Sequence, residues 1–269
     1  MSSEGGQTRA PNPLIALVRR SPELCAAHDR AGWVGLFAAD GQVNDPVGSK
    51  PHEGRAAIER FYDTFIAPNA LSFAVEHDVV CGMSVMRDLS IDTVMATGAR
   101  LSVPMHLRYD LIEEDGALKI RRICAHWELP GMMLQLLKLG LRGLWTSIVL
   151  TPRLIRHQGL SGLLGFMHGL FGSGRAGKRA AEAFFAAARR GDSTAAGACL
   201  TSDCALEVPT GTRVALLELV PGLRELQWRK LIGAGNYASA TVQIGPRRGV
   251  ALFRFDQGPR QISSLQIFI

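Results

Sequence analysis

Between Leu129 and Ala181 the chain has no aspartate or glutamate, yet it carries Lys138, Arg142, Arg153, Arg156, Arg175, Lys178 and Arg179. Gln135, Lys138 and Arg142 fall three and four apart, a narrow polar stripe on a helix that is otherwise broadly apolar. Leu160–Phe171 repeats the theme with more glycine, which lowers the propensity for one long helix. A membrane-spanning helix would hold Lys138 and Arg142 inside the bilayer, at about 2.5–3.5 kcal/mol each. Two readings remain: a helix packed across two domains, or one lying in a membrane interface through 132–171.

Other scarcities narrow the function. Five cysteines (Cys25, Cys81, Cys124, Cys199 and Cys204) are odd in number and form no C-x-x-C, so they read as small buried hydrophobes in a reducing compartment. The seven histidines show no H-E-x-x-H or similar ligand spacing, so neither metal nor another cofactor is expected. Residues 1–11 are polar and lack the apolar core of a signal peptide, which implies a disordered start and a cytoplasmic protein, peripheral to a membrane if the interface reading holds. The basic stretch lacks the interleaved aromatics that base stacking needs, so nucleic acid is not an expected partner.

What is present points to two folded units. The chain has 269 residues, 47% of them hydrophobic, with mean hydropathy +0.10, net charge +6 and pI near 9.4. That is long for one domain and too apolar for disorder. Asn12-Pro13 opens a helix over Leu14–Arg20, and Ser21-Pro22 reads as a fresh start, with further helical pieces at Leu24–His28 and Trp33–Ala38. A helix over Gly54–Ala67 follows. Strands are predicted at Ser72–Cys81, Ser84–Thr97, Arg100–Glu113 and Lys119–Glu128, with a turn at Glu114-Asp115-Gly116. Short helices followed by an antiparallel sheet make an α+β pattern.

The chemistry centres on Val43-Asn44-Asp45-Pro46-Val47-Gly48, a strand end, then a Pro/Gly turn, then the helix from Gly54. A residue before proline is held in extended geometry, so Asp45 can point off the strand into a neighbouring cavity. The stretch from Phe37 to Tyr62, with Asp-Pro-Val-Gly, Gly-Arg and Ala-Ile-x-x-Phe-Tyr, resembles the bacterial ketosteroid isomerases within the wider SnoaL-like, NTF2-like superfamily. The likeness resumes over Leu107–Glu128, with Trp127 at the place of a pocket tryptophan.

The resemblance implies a cone-shaped fold and a small apolar ligand such as a steroid. In those isomerases the matching aspartate moves a proton between two carbons of a steroid, which makes Asp45 the expected base. Tyr62 matches a supporting tyrosine. The oxyanion donors depart from the pattern: the helix tyrosine falls at Ser21 or Leu24, and the strand acid at His106, Arg108 or Asp110. His106 is taken as the donor, with Tyr62 a second candidate. Trp127, Phe61, Phe37 and Asp110 are expected around the substrate, and Trp33 in the core. The expected activity is thus proton transfer on a steroid or similar apolar ketone. One alternative is a non-catalytic steroid- or lipid-binding protein. A further one is a limonene-epoxide-hydrolase-like enzyme built on Arg108-Tyr109-Asp110, for which the neighbouring strand lacks a second carboxylate.

The pattern occurs twice. Cys199 to Gly211 overlays Leu36 to Gly48, with Asp203, Pro209 and Gly211 on Asp40, Pro46 and Gly48. Val208 stands at the place of Asp45, and an apolar side chain cannot shuttle protons, so the second copy is a structural partner. The expected organisation is 1–11 disordered, 12–128 the first cone, 129–175 an apolar helical linker, and 176–269 a degenerate cone. The two cones would pair within the chain, or the chain would form a homodimer.

Overall fold

A computed structural model describes residues 12–208 and 212–269. The expected disordered start at 1–11, and Pro209 and Gly211 of the internal repeat, lie outside the described residues.

Helix α1 (Pro13–Ala26) starts where Asn12-Pro13 implies, with the Asn12 side chain accepting from the Leu14 N–H at 2.9 Å. It does not restart at Pro22, contrary to expectation. A proline there deprives the Val18 carbonyl of its helical partner. The Arg87 guanidinium donates to that carbonyl instead, at 3.4 Å, and is itself held on Asp78 at 2.7 Å. A long-range contact thus repairs the break. Helix α2 (Arg30–Gly35) is capped by Asp29 and ends before Phe37, where the first strand already begins.

The first unit is a six-stranded sheet, with β1 (Phe37–Asn44), β2 (His52–Glu53), β3 (Ala70–Cys81), β4 (Ser84–Val94), β5 (Arg100–Glu114) and β6 (Ala117–His126) in the order β2-β1-β6-β5-β4-β3. β1 runs parallel to β6, and the other neighbours are antiparallel. Helix α3 (Arg55–Phe61), continued by a π-helical turn over Tyr62–Ile66, lies with α1 and α2 on one side of this sheet. The expected 129–175 segment holds α4 (Leu129–Lys138) and α5 (Leu141–Met167), the latter kinked at Gly159.

The second unit repeats the plan. Helices α6 (Gly174–Arg190) and α7 (Ser193–Ala198) precede β7 (Leu200–Val208), β8 (Thr212–Arg213), α8 (Leu216–Gly222), β9 (Leu226–Ala234), β10 (Tyr237–Ile244), β11 (Arg247–Arg254) and β12 (Ile262–Phe268). Its strand order is β8-β7-β12-β11-β10-β9, the counterpart of the first, and β12 pairs parallel with β7. The chain is therefore two α+β units with sheets of the same strand order. The interior of the second is filled by aromatic rings: Phe184, Phe185 and Phe253 are fully buried and pack edge to face.

The two sheets face each other across a small apolar patch of Val79, Met86, Val250, Leu252 and Phe268. Around it lies a buried polar network. Asp88, 1% exposed, accepts from Lys230 at 2.7 Å and from the Thr241 hydroxyl at 2.8 Å. Glu76 sits where β3 bulges against β4, and it receives Lys230, Arg229 and Arg248. His106, fully buried, has its two ring nitrogens on the Ser239 and Thr241 hydroxyls at 2.7 and 3.0 Å. Every charge here has a partner, as burial demands.

Burial pushes the His106 pKa down to about 3, so its ring is neutral near pH 7. A histidine whose folded pKa lies below its unfolded value stabilises fully above the latter, and that contribution is lost as pH falls through the former. The urea midpoint of the wild-type protein is expected to decline from about pH 6.5 downward. In His106→Gln, which keeps hydrogen bonding but cannot titrate, the decline is expected to be shallower; parallel curves would exclude His106 as its source.

Candidate functional site

The inner face of the first sheet follows from strict alternation along β5. Met105, Leu107 and Tyr109 point to the helices, and His106, Arg108 and Asp110 point to the second unit. The helix-facing residues do not fill the space. A cavity of about 170 Å³ remains. One water needs roughly 10–15 Å³, so the cavity has room for a ligand far larger than water.

Its floor is Val43, Ile123 and the inner residues of β5; Phe61, Phe65 and Ile66 form one wall. Met132 from α4 and Leu150 and Phe166 from α5 close it from above. Few polar groups reach it, which is the usual make-up of a small-molecule site. Among them are Asp45, Trp127, Ser21, Asn69, Thr93 and Tyr109.

Asp45 stands one residue past the end of β1, where the chain leaves the sheet. The turn behind it is fixed by the Val47 N–H on the Ala125 carbonyl at 2.9 Å and by the Ser49 hydroxyl on the Pro46 carbonyl at 2.7 Å. The second unit backs this turn. Gly48 has φ of 99°, and a Cβ there would lie 2.5 Å from Cα of Gly235, in the β9–β10 turn. Only paired glycines allow the two backbones to come this close. The Asp45 turn and the second unit thus fit by contact of main chain on main chain.

The Trp127 indole N–H donates to Asp45 Oδ1 at 2.5 Å. Removal from water pushes the Asp45 pKa up to about 6, and the Trp127 hydrogen bond pulls against that rise. An ionised Asp45 is thus available at neutral pH, with more basicity than an exposed aspartate.

Across the sheet lies a hydroxyl that sequence reasoning missed. Tyr109 shares a row with Ile123 and Val43, two strands from β1, while Asp45 is two residues beyond Val43. Standard strand spacings put the two Cα atoms about 12 Å apart, with both side chains at the same cavity between. Ser21, whose Oγ accepts from the Trp33 indole at 3.1 Å, lies at the same cavity. Burial pushes the Tyr109 pKa up, against the pull of Arg87 and Ser21, so the hydroxyl stays protonated. Cys25, also at the cavity, is pushed up to about 12 by burial and is an unreactive thiol.

The expected site residues divide. Asp45, Trp127 and Phe61 come together at the cavity. Tyr62 is buried behind it against Trp33, ring centroids 5.7 Å apart, and its hydroxyl has no hydrogen-bond partner among the described residues. Phe37 is a core residue, edge-on to Trp33 at 4.9 Å. Trp33 is core as expected and also touches the cavity. His106 is corrected from oxyanion donor to a residue between the sheets. Asp110 is corrected too: it lies on the same outer face, held by Arg108, Arg122 and Ser84 at 2.6–2.8 Å. The Arg108–Asp110 pair that a hydrolase would need therefore points away from the cavity.

Residues 18–123 match the SnoaL-like domain family. Among solved structures, a Delta 5-3-ketosteroid isomerase from Mycobacterium sp. is 27% identical, covering 44% of this chain and 95% of that one, with a TM-score of 0.41. A Mycobacterium tuberculosis protein in complex with estradiol-17beta-hemisuccinate is 25% identical over the same shares, TM-score 0.40. A computationally designed 17-OHP binder is 23% identical over the same shares, TM-score 0.41. The family match lies within the first unit, and the second sheet has the corresponding strand order.

Proposed function

We propose that the first unit catalyses proton transfer on a flat apolar ketone of steroid type, with Asp45 as the base. The observation that carries this reading is a lone carboxyl group with a pKa near 6, held by Trp127 at an otherwise apolar cavity. A base tuned close to the working pH is what abstraction of a proton next to a carbonyl requires. Asp45 takes the proton from the carbon between carbonyl and alkene. The C–H electron pair moves into the C–C bond as the carbonyl oxygen gains charge. Return of the proton to the far alkene carbon then gives the conjugated ketone, with no net gain or loss of atoms.

The developing oxyanion needs a donor that is already oriented. We assign that role to Tyr109, a protonated hydroxyl at the cavity wall. The second unit is assigned a structural role, pairing with the first through the sheet faces and backing the Asp45 turn. A specific observation favours a second reading, a non-catalytic binder of apolar ligands, at rest on a membrane. The helix offers Ser21, not a tyrosine, and β5 turns Leu107, not an acid, to the cavity.

Ultraviolet detection of conjugated ketone from 5-androstene-3,17-dione separates the two. Asp45→Asn is expected to lower turnover by roughly a hundred- to ten-thousandfold, and full activity in this variant would exclude Asp45 as the base. Tyr109→Phe is expected to cost about a hundredfold or more. Saturable quenching of tryptophan fluorescence by the steroid without any product would favour the binder.

Two pH effects follow from the raised pKa of Asp45. The rate is expected to rise with pH through about 6, because only the carboxylate accepts a proton. Stability runs the other way: a raised folded pKa stabilises below about 3.8, and this is lost as pH rises through about 6. Asp45→Asn is therefore expected to unfold at higher urea than wild type at pH 7.5, by up to about 3 kcal/mol, and to lose most of that advantage at pH 4. No gain at pH 7.5 would mean that the carboxylate is well solvated.

A further inference from the structure

Helix α5 is apolar on two sides. Its inner side closes the cavity with Leu150 and Phe166, buries Leu154, and is pinned by the Thr146 hydroxyl on Thr97 at 2.6 Å. On its outer side, Leu141, Trp145, Ile148 and Ile155 recur at intervals of four, three and seven residues, which places them on one stripe. Leu141 is 86% exposed and Trp145 58%, and Leu137 of α4 is 76% exposed. Neither unit of the chain covers this stripe.

A run of large apolar side chains in water marks a binding surface. Its partner can be identified from the charge around it. From 129 to 181 there is no acidic residue, and Lys138, Arg142 and Arg156 are exposed beside the stripe. An exposed helix with leucine, isoleucine and tryptophan on one side and only cations at its edges is complementary to an anionic lipid surface. The side chains enter the acyl boundary while the cations meet phosphates. No described helix is long and apolar enough to cross a membrane, so the contact is with one leaflet.

We propose that the outer side of α4–α5 docks on anionic phospholipid, and that α5 is the lid beneath which an apolar ligand passes between bilayer and cavity. The docking stands on the stripe and its charges; the passage rests on the reading of the cavity as a ligand site.

Flotation of the full chain with phosphatidylcholine vesicles, with and without phosphatidylglycerol, tests the docking. Wild type is expected to float with the anionic vesicles, and added salt should weaken this. The double variant Trp145→Glu, Ile148→Glu alters only exposed positions and is expected to partition at least about tenfold less. Equal flotation of the variant, or none by wild type, overturns the docking. A wild-type dimer that the variant dissolves, with no flotation, would assign the stripe to a second copy of this chain.

The passage has its own readout. With 4-androstene-3,17-dione loaded in anionic vesicles, the variant is expected to show slower tryptophan quenching than wild type. The same dione added from solution is expected to quench both alike. Equal rates from vesicles would overturn the passage alone. Absence of quenching from solution would count against the ligand site and leave the docking to the flotation result.

Discussion

The hydrogen bond from the Trp127 indole to Asp45 organises the first unit. It joins the end of β6 to the residue just beyond β1 and holds a carboxylate against an apolar cavity. Without a donor, a carboxylate so placed would stay protonated and be useless as a base; with several, it would be too weak a base. One donor against strong desolvation brings the group near 6. The surrounding hydrophobic surface therefore sets the protonation of Asp45 as well as the packing.

The second unit matters because the site depends on what lies behind it. The Asp45 turn rests on the Gly235 turn through main chain alone, so its position follows from the sheet-to-sheet packing. That packing is specific. Glu76 and Asp88 of the first sheet meet Lys230, Arg229 and Arg248 of the second. Two copies of the first sheet would bring these acids to an interface without the cations of the second. The second unit has in turn filled its own interior with Phe184, Phe185 and Phe253, as suits a partner whose β7 ends in Val208 where the first unit has Asp45.

Much of this was legible in the chain, for local reasons. Asp-Pro followed by glycine fixes a turn, and the likeness of 36–48 to 199–211 points to a second unit of similar plan. The two sheets with their common strand order are its structural counterpart. The place of Tyr109 at the cavity was missed because alternation gives two faces and does not say which is inner. Leu107, Tyr109 and Leu111 carry the apolar residues, and that phase should have pointed to Tyr109. His106 is buried just as deeply, but by the other sheet, and no single-strand pattern can show that. The unbroken α1 was hidden for the same reason: Arg87, which takes up the Val18 carbonyl opposite Pro22, is 69 residues away from it.

The most direct test of the tuned base is a carbon-13 NMR titration of the aspartate carboxyls, with Asp45 assigned by loss of its signal in Asp45→Asn. A midpoint near 6, moving higher in Trp127→Phe as the hydrogen bond is removed, is expected. A midpoint near 4 in wild type, unmoved by the tryptophan change, would contradict a desolvated carboxylate held by Trp127, and with it the case for Asp45 as the base.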